Sequence, residues 1–120
     1  MATPADPLDG DALLAAVSDA MSELHERYYE RQPTTTKAWM MGAGLLACVL
    51  GGVYTDVEKT LIELERGPVV RDNRSMFQDA MQQRFIDAVQ RLSGRRVEHF
   101  ISSHSIGPDL EIELFFLAEP

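Results

Sequence analysis

Apolar positions recur at three- and four-residue steps in three stretches of the chain and at alternate positions in others. Over 9–31, Leu13, Leu14, Val17, Ala20, Met21, Leu24 and Tyr28 make one stripe, which predicts an amphipathic helix. Asp9 or Asp11 is placed to cap it. Gln32-Pro33 ends it, because the residue ahead of proline avoids the α region. Thr55-Asp56-Val57-Glu58 is a capping box that opens a second helix, with Val57, Leu61 and Leu64 expected inward and Arg66-Gly67 at its end. A third helix is predicted from Pro68 to Leu92, with Val69, Val70, Phe77, Met81, Phe85, Val89 and Leu92 toward the core and Gly94 closing it. Ser75-Met76-Phe77-Gln78 repeats the capping pattern, so a start at Met76 after a bend over 68–75 is a competing reading. Over 110–117, Leu110, Ile112, Leu114 and Phe116 alternate with Glu111, Glu113 and Phe115. That predicts a strand with the first set toward the helices, paired with a strand over 96–104 through a turn at Gly107-Pro108-Asp109.

The stretch AWMMGAGLLACVLGGVYT, 38–55, carries no charge. A membrane span and a β-hairpin compete for it. A span needs ~20 apolar residues, and this run is interrupted by Gly42, Gly44, Gly51 and Gly52. The hairpin is favoured, with strands over 36–41 and 45–53 and a reversal at Gly42-Ala43-Gly44. No membrane insertion is expected. The resulting order is α-β-β-α-α-β-β. It implies an α+β fold: one antiparallel four-stranded sheet with the helices packed on one face. The domain is expected over 9–118, after a flexible tail at 1–8.

Charge adds one feature. The chain carries 19 acidic and 11 basic residues, a net −8, but residues 66–96 hold seven arginines against three aspartates. Such asymmetry can mark a nucleic-acid site. These arginines are scattered and no aromatic residues interleave with them as stacking platforms, so complementarity with the acidic first helix is preferred and no nucleic-acid partner is expected. The lone cysteine, Cys48, excludes a disulfide framework and reads as a small buried side chain of a cytoplasmic protein.

Catalytic constellations are not legible. His99 and His104 differ in strand parity and point to opposite faces. His25 has no partner at a metal-ligand spacing, so no metal and no other cofactor is expected. Glu58 is explained by its capping box, and Glu111 and Glu113 by an exposed, solvated strand face. Ser102, Ser103 and Ser105 lack a nucleophile-elbow setting, and Gly42-Ala43-Gly44 is a lone GxG. The expectation is that the chain is not an enzyme. If Leu110, Ile112, Leu114 and Phe116 face the helices, the open sheet face carries Phe115, Phe100 and Trp39 or Met40, a candidate self-association surface. Arg71 and Arg74, near the possible bend, are the candidate anion ligands.

The run YTDVEKTL (54–61), Gly67, Arg74, SGRRV (93–97) and LFFL (114–117) resembles the MpsC-like family. These bacterial domains are described as part of a Na+-translocating, membrane-potential-generating system. The family's T-x-x-E-x-x-L core is matched at Thr55, Glu58 and Leu61, and its G-x-(K/R)-V step at Gly94, Arg96 and Val97. The chain departs from the pattern at Tyr54, at ERQPTTT, and where Ser103 or His104 replaces an aspartate. The resemblance implies a cytosolic accessory module with no established catalytic residues, linked to ion or inorganic-carbon transport. Together with the sheet face, it predicts a non-catalytic homodimer formed through Trp39, Phe100 and Phe115, with a membrane-protein or regulatory partner. The alternative is a sensor of a small anionic ligand at Arg71 and Arg74.

Overall fold

A computed structural model describes residues 6–105 and 108–120. The elements are α1 (Gly10–Tyr29), β1 (Thr35–Met41), β2 (Leu45–Gly51), α2 (Asp56–Glu63), α3 (Gly67–Ser93), β3 (Val97–Ser105) and β4 (Leu110–Leu117). The predicted α-β-β-α-α-β-β order and the antiparallel four-stranded sheet are both present. Spatial order is β1-β2-β4-β3, so the apolar β2 and the last strand are central. Residues 1–5 of the expected tail and Gly107 of the expected turn lie outside the described residues.

The uncharged stretch is the β1–β2 hairpin, with Met41 opposite Leu45 across a turn that begins at Gly42. Gly42 sits at φ 66°, a conformation open to glycine at little steric cost. Gly52, just past β2, also has positive φ, and a β-carbon there would stand 2.1 Å from Thr34 Oγ1. Among the described residues no helix is long and apolar enough to cross a membrane.

Both long helices lie on one face of the sheet, α1 against β1 and β2 and α3 against β3. Leu13, Val17 and Met21 of α1 meet Met81, Phe85 and Val89 of α3 over Leu46, Cys48 and Leu50 of β2. Helix α3 is continuous from Gly67, with Pro68 in its first turn, so the Ser75 capping pattern is not used and 68–75 does not bend. Its inward face is Val70, Arg74, Gln78, Met81, Phe85 and Val89, whereas Val69 and Phe77, expected inward, are exposed. Steps of three and four from Val70 land on Arg74 and Gln78, and these polar side chains take the core positions. The α2 capping box forms as read, with reciprocal bonds between Thr55 and Glu58. Val57 of that short helix and Leu64 at its C-cap are exposed, and Leu61 and Ile62 reach the core.

The face assignment of β4 is reversed. Glu111, Glu113, Phe115 and Leu117 point to the helices and are buried, and Leu110, Ile112, Leu114 and Phe116 lie on the open face. Strand β2 is apolar on both faces, so it is equally satisfied either way. The inner face wins because α1 and α3 present a histidine and an arginine to Glu111. Phe115 is therefore a core residue, 5.0 Å from Phe100, which packs 6.2 Å from Phe85. Of the three residues expected at an interface, Trp39 alone stands on the open face, 42 % exposed beneath the Lys37 ammonium.

Candidate functional site

The core is built around a charged group. Arg74, two turns into α3 on its inner face, is fully buried. Its guanidinium grips Glu58 with a two-bond fork, Nε donating to Oε2 at 2.7 Å and Nη2 to Oε1 at 2.6 Å. Nη1 donates to Glu111 Oε1 and Nη2 to the Val53 carbonyl, both at 2.6 Å. The rings of Tyr29 and Tyr54 flank it at 4.2 and 4.9 Å. Planar, forked donors and stacking faces are what arginine offers and lysine does not. Glu58 serves twice, since Oε1 also accepts the Thr55 backbone N–H. The capping box thus positions the carboxylate that Arg74 needs.

The network continues beyond Arg74. Glu111 Oε2 lies 2.6 Å from His25 Nε2, and His25 Nδ1 lies 3.0 Å from the Met21 carbonyl oxygen. The ring donates through Nδ1, because the Met21 carbonyl can only accept. It stacks on Phe85 at 5.6 Å. At the mouth of the hairpin, the Asp109 carboxylate accepts the backbone N–H groups of Val53 and Tyr54. The Tyr54 hydroxyl donates to the Ser105 carbonyl. One connected set of polar contacts therefore ties α1, α2, α3 and β4 together.

Electrostatics follow the contacts. Burial alone would raise the pKa of Glu111, but the His25 hydrogen bond and charge, then Arg74, hold it below the usual carboxylate range. Glu58 is likewise held down: the Arg74 hydrogen bond and the Thr55 backbone outweigh its burial. Burial opposes the charge on Arg74, yet the two glutamates raise its pKa. Burial pushes the Tyr54 hydroxyl up to about 12 and also raises Tyr29.

Glu113 is different. It is fully buried, and neither carboxylate oxygen has a hydrogen-bond partner. Burial first, then the charge of Glu111, raises its pKa well above the usual carboxylate range. Its cross-strand neighbours are Cys48 and Ser102. Ser102 opposes the shift only slightly and forms no hydrogen bond of normal geometry with it. Ser102 Oγ and Gln78 Nε2 are also buried without partners, and both residues line a cleft of about 200 Å³ between α3 and β3. His25, Glu111 and Glu113 each bring a ligand-capable atom within 4.8 Å of the others. The arrangement can hold a proton or a cation.

Arg71 and Arg74 do not converge. Arg71 is exposed on α3, and Arg74 is committed to four hydrogen bonds within the protein. Glu111 and Glu113, read as solvated, are in the core. His99 and His104 do take opposite faces, His99 opposite Phe116 and His104 opposite Glu111. Helix α1 packs beside the arginine-rich α3, but among the described residues no ion pair joins them. Arg27, Arg84 and Arg91 instead line a groove of about 570 Å³ with Glu23 and Asp87. The sequence reading missed His25. Its signal was there: Leu13, Val17, Met21 and His25 are evenly spaced by four.

A family model described as Na+-translocating membrane potential-generating system (MpsC) matches residues 11–119, nearly the whole chain. Searches of curated proteins and of solved structures returned no match.

Proposed function

The chain belongs to the MpsC family, and we propose that it acts there as a non-catalytic, cytoplasmic accessory module that works as a homodimer, two copies packing sheet to sheet. The observation that carries this reading is the open face of the sheet. Of the chain's 19 acidic residues, Glu111 and Glu113 turn inward, and Glu98, 47 % exposed at the bulge that opens β3, lies at the edge of the sheet. Lys37 is the charged residue at a paired outward position, at the rim. Trp39, Met41, Ile101 and Ile112 are 42, 58, 50 and 37 % exposed, with Leu114 and Phe116 half-buried between them.

Four strands spaced ~4.8 Å, with about seven residues each at ~3.3 Å, make a face of roughly 19 by 23 Å. Its apolar centre, built from Trp39, Met41, Ile101, Ile112, Leu114 and Phe116, falls in the size range where exposed apolar patches are often functional. Two such faces stack at ~10 Å as a β-sandwich, and a two-fold axis makes the one patch its own complement. The acidic surfaces of both copies stay outward, which limits repulsion between two chains of charge −8. Other surfaces then remain for a membrane-protein or regulatory partner of the transport system.

Light scattering behind a sizing column, without detergent, tests this. The expected mass is twice 13.4 kDa. The double variant Trp39→Glu, Leu114→Lys is expected to run as a monomer with its helical circular dichroism intact. A wild-type chain that stays monomeric at tens of micromolar refutes the dimer.

A further inference from the structure

Glu113 sits in the core with no hydrogen bond to either oxygen. An isolated buried carboxylate is costly when ionised and contributes little when protonated. Two ligand-capable groups lie beside it. His25 Nε2 and Glu111 Oε2 are 2.6 Å apart, and with a Glu113 oxygen all three lie within 4.8 Å of one another. One imidazole and two carboxylates form a donor set for a first-row transition metal. We propose that His25, Glu111 and Glu113 bind a single divalent metal ion of the zinc type, which ties α1 to β4.

The surroundings support that assignment. His25 Nδ1 donates to the Met21 carbonyl, which orients Nε2 toward the carboxylates, as ligating histidines are commonly oriented. Arg74 holds Glu111 Oε1 and leaves Oε2 for the ion. Gln78, 7 % exposed, has an unpartnered side-chain nitrogen, and Ser102 opposite Glu113 has an unpartnered hydroxyl. Both line the cleft of about 200 Å³ between α3 and β3.

The test uses the full chain, stripped with a chelator and titrated with Zn2+ by calorimetry. One ion per chain is expected, with a higher melting temperature. Co2+ is expected to give the absorption of a nitrogen- and oxygen-ligated site. Glu113→Gln is expected to weaken Zn2+ binding by on the order of 100-fold or more, yet to raise the melting temperature of the metal-free chain. Opposite signs in one variant separate a lost ligand from a misfolded protein. Binding that survives Glu113→Gln and His25→Gln, or no binding at one ion per chain, overturns the site.

Discussion

Replacing Arg74 by methionine tests whether the charged cluster or the apolar core holds the helices to the sheet. Methionine keeps most of the volume and removes four hydrogen bonds, three of them to carboxylates. The two glutamates left behind differ. The Glu58 side chain is 14 % exposed and can recruit water, but Glu111 is fully buried and keeps only His25. The loss is dominated by a desolvated, half-satisfied carboxylate, for which breaking a buried pair costs about 3–5 kcal/mol. That is a large share of the ~5–15 kcal/mol that keeps a domain of this size folded.

Urea unfolding followed by circular dichroism reads this directly. With a slope of about 1–3 kcal/mol per molar, the midpoint should fall by roughly 2 M. Arg74→Lys, which keeps the charge but not the fork, should fall between the variant and wild type. A pH series adds a signed check. Glu58 and Glu111 have folded pKa values held below their unfolded value of ~4.3. Their stabilisation is therefore present above that pH and is lost as pH falls through the folded values. Arg74→Met removes one cause of both shifts, so the acid limb of its stability curve should be shallower than that of wild type. A loss under ~1 kcal/mol, the worth of a surface ion pair, with an unchanged acid limb would refute the reasoning.

Two further outcomes follow from the same geometry. Glu113 has the opposite sign: its folded pKa is raised, so its contribution is complete below ~4.3 and is lost as pH rises through the folded value. In the metal-free chain, Glu113→Gln should gain stability over wild type increasingly as pH rises, and a gain independent of pH between 5 and 9 in thermal melts would contradict this. Thr55 Oγ1 accepts the Glu58 N–H at 3.2 Å, so Thr55→Ala should lose about 1 kcal/mol. If capping and the Arg74 fork are coupled through Glu58, a double-mutant cycle with Arg74→Met should be non-additive, and strict additivity would separate the two.

What could be read from the chain divides along one physical line. Periodicity and backbone chemistry act locally, and the features they set were legible: the hairpin at Gly42, the capping box at Thr55, the order of seven elements. Which face of a strand turns inward is a tertiary choice. Strand β4 alternates cleanly, and hydropathy favours burying Leu110, Ile112, Leu114 and Phe116. The molecule buries Glu111 and Glu113 instead. An arginine 37 residues and a histidine 86 residues away supply the compensation, and no local window contains both. The same reversal explains two surprises at once. Carboxylates in the core require cationic partners or protons, which is why α1 and α3 carry His25 and Arg74 at positions where the pattern called for leucine. Apolar side chains displaced outward leave the sheet with a face that water does not suit. The polar core and the sticky surface are two sides of one strand, so a variant of β4 that turned its glutamates outward would lose both together.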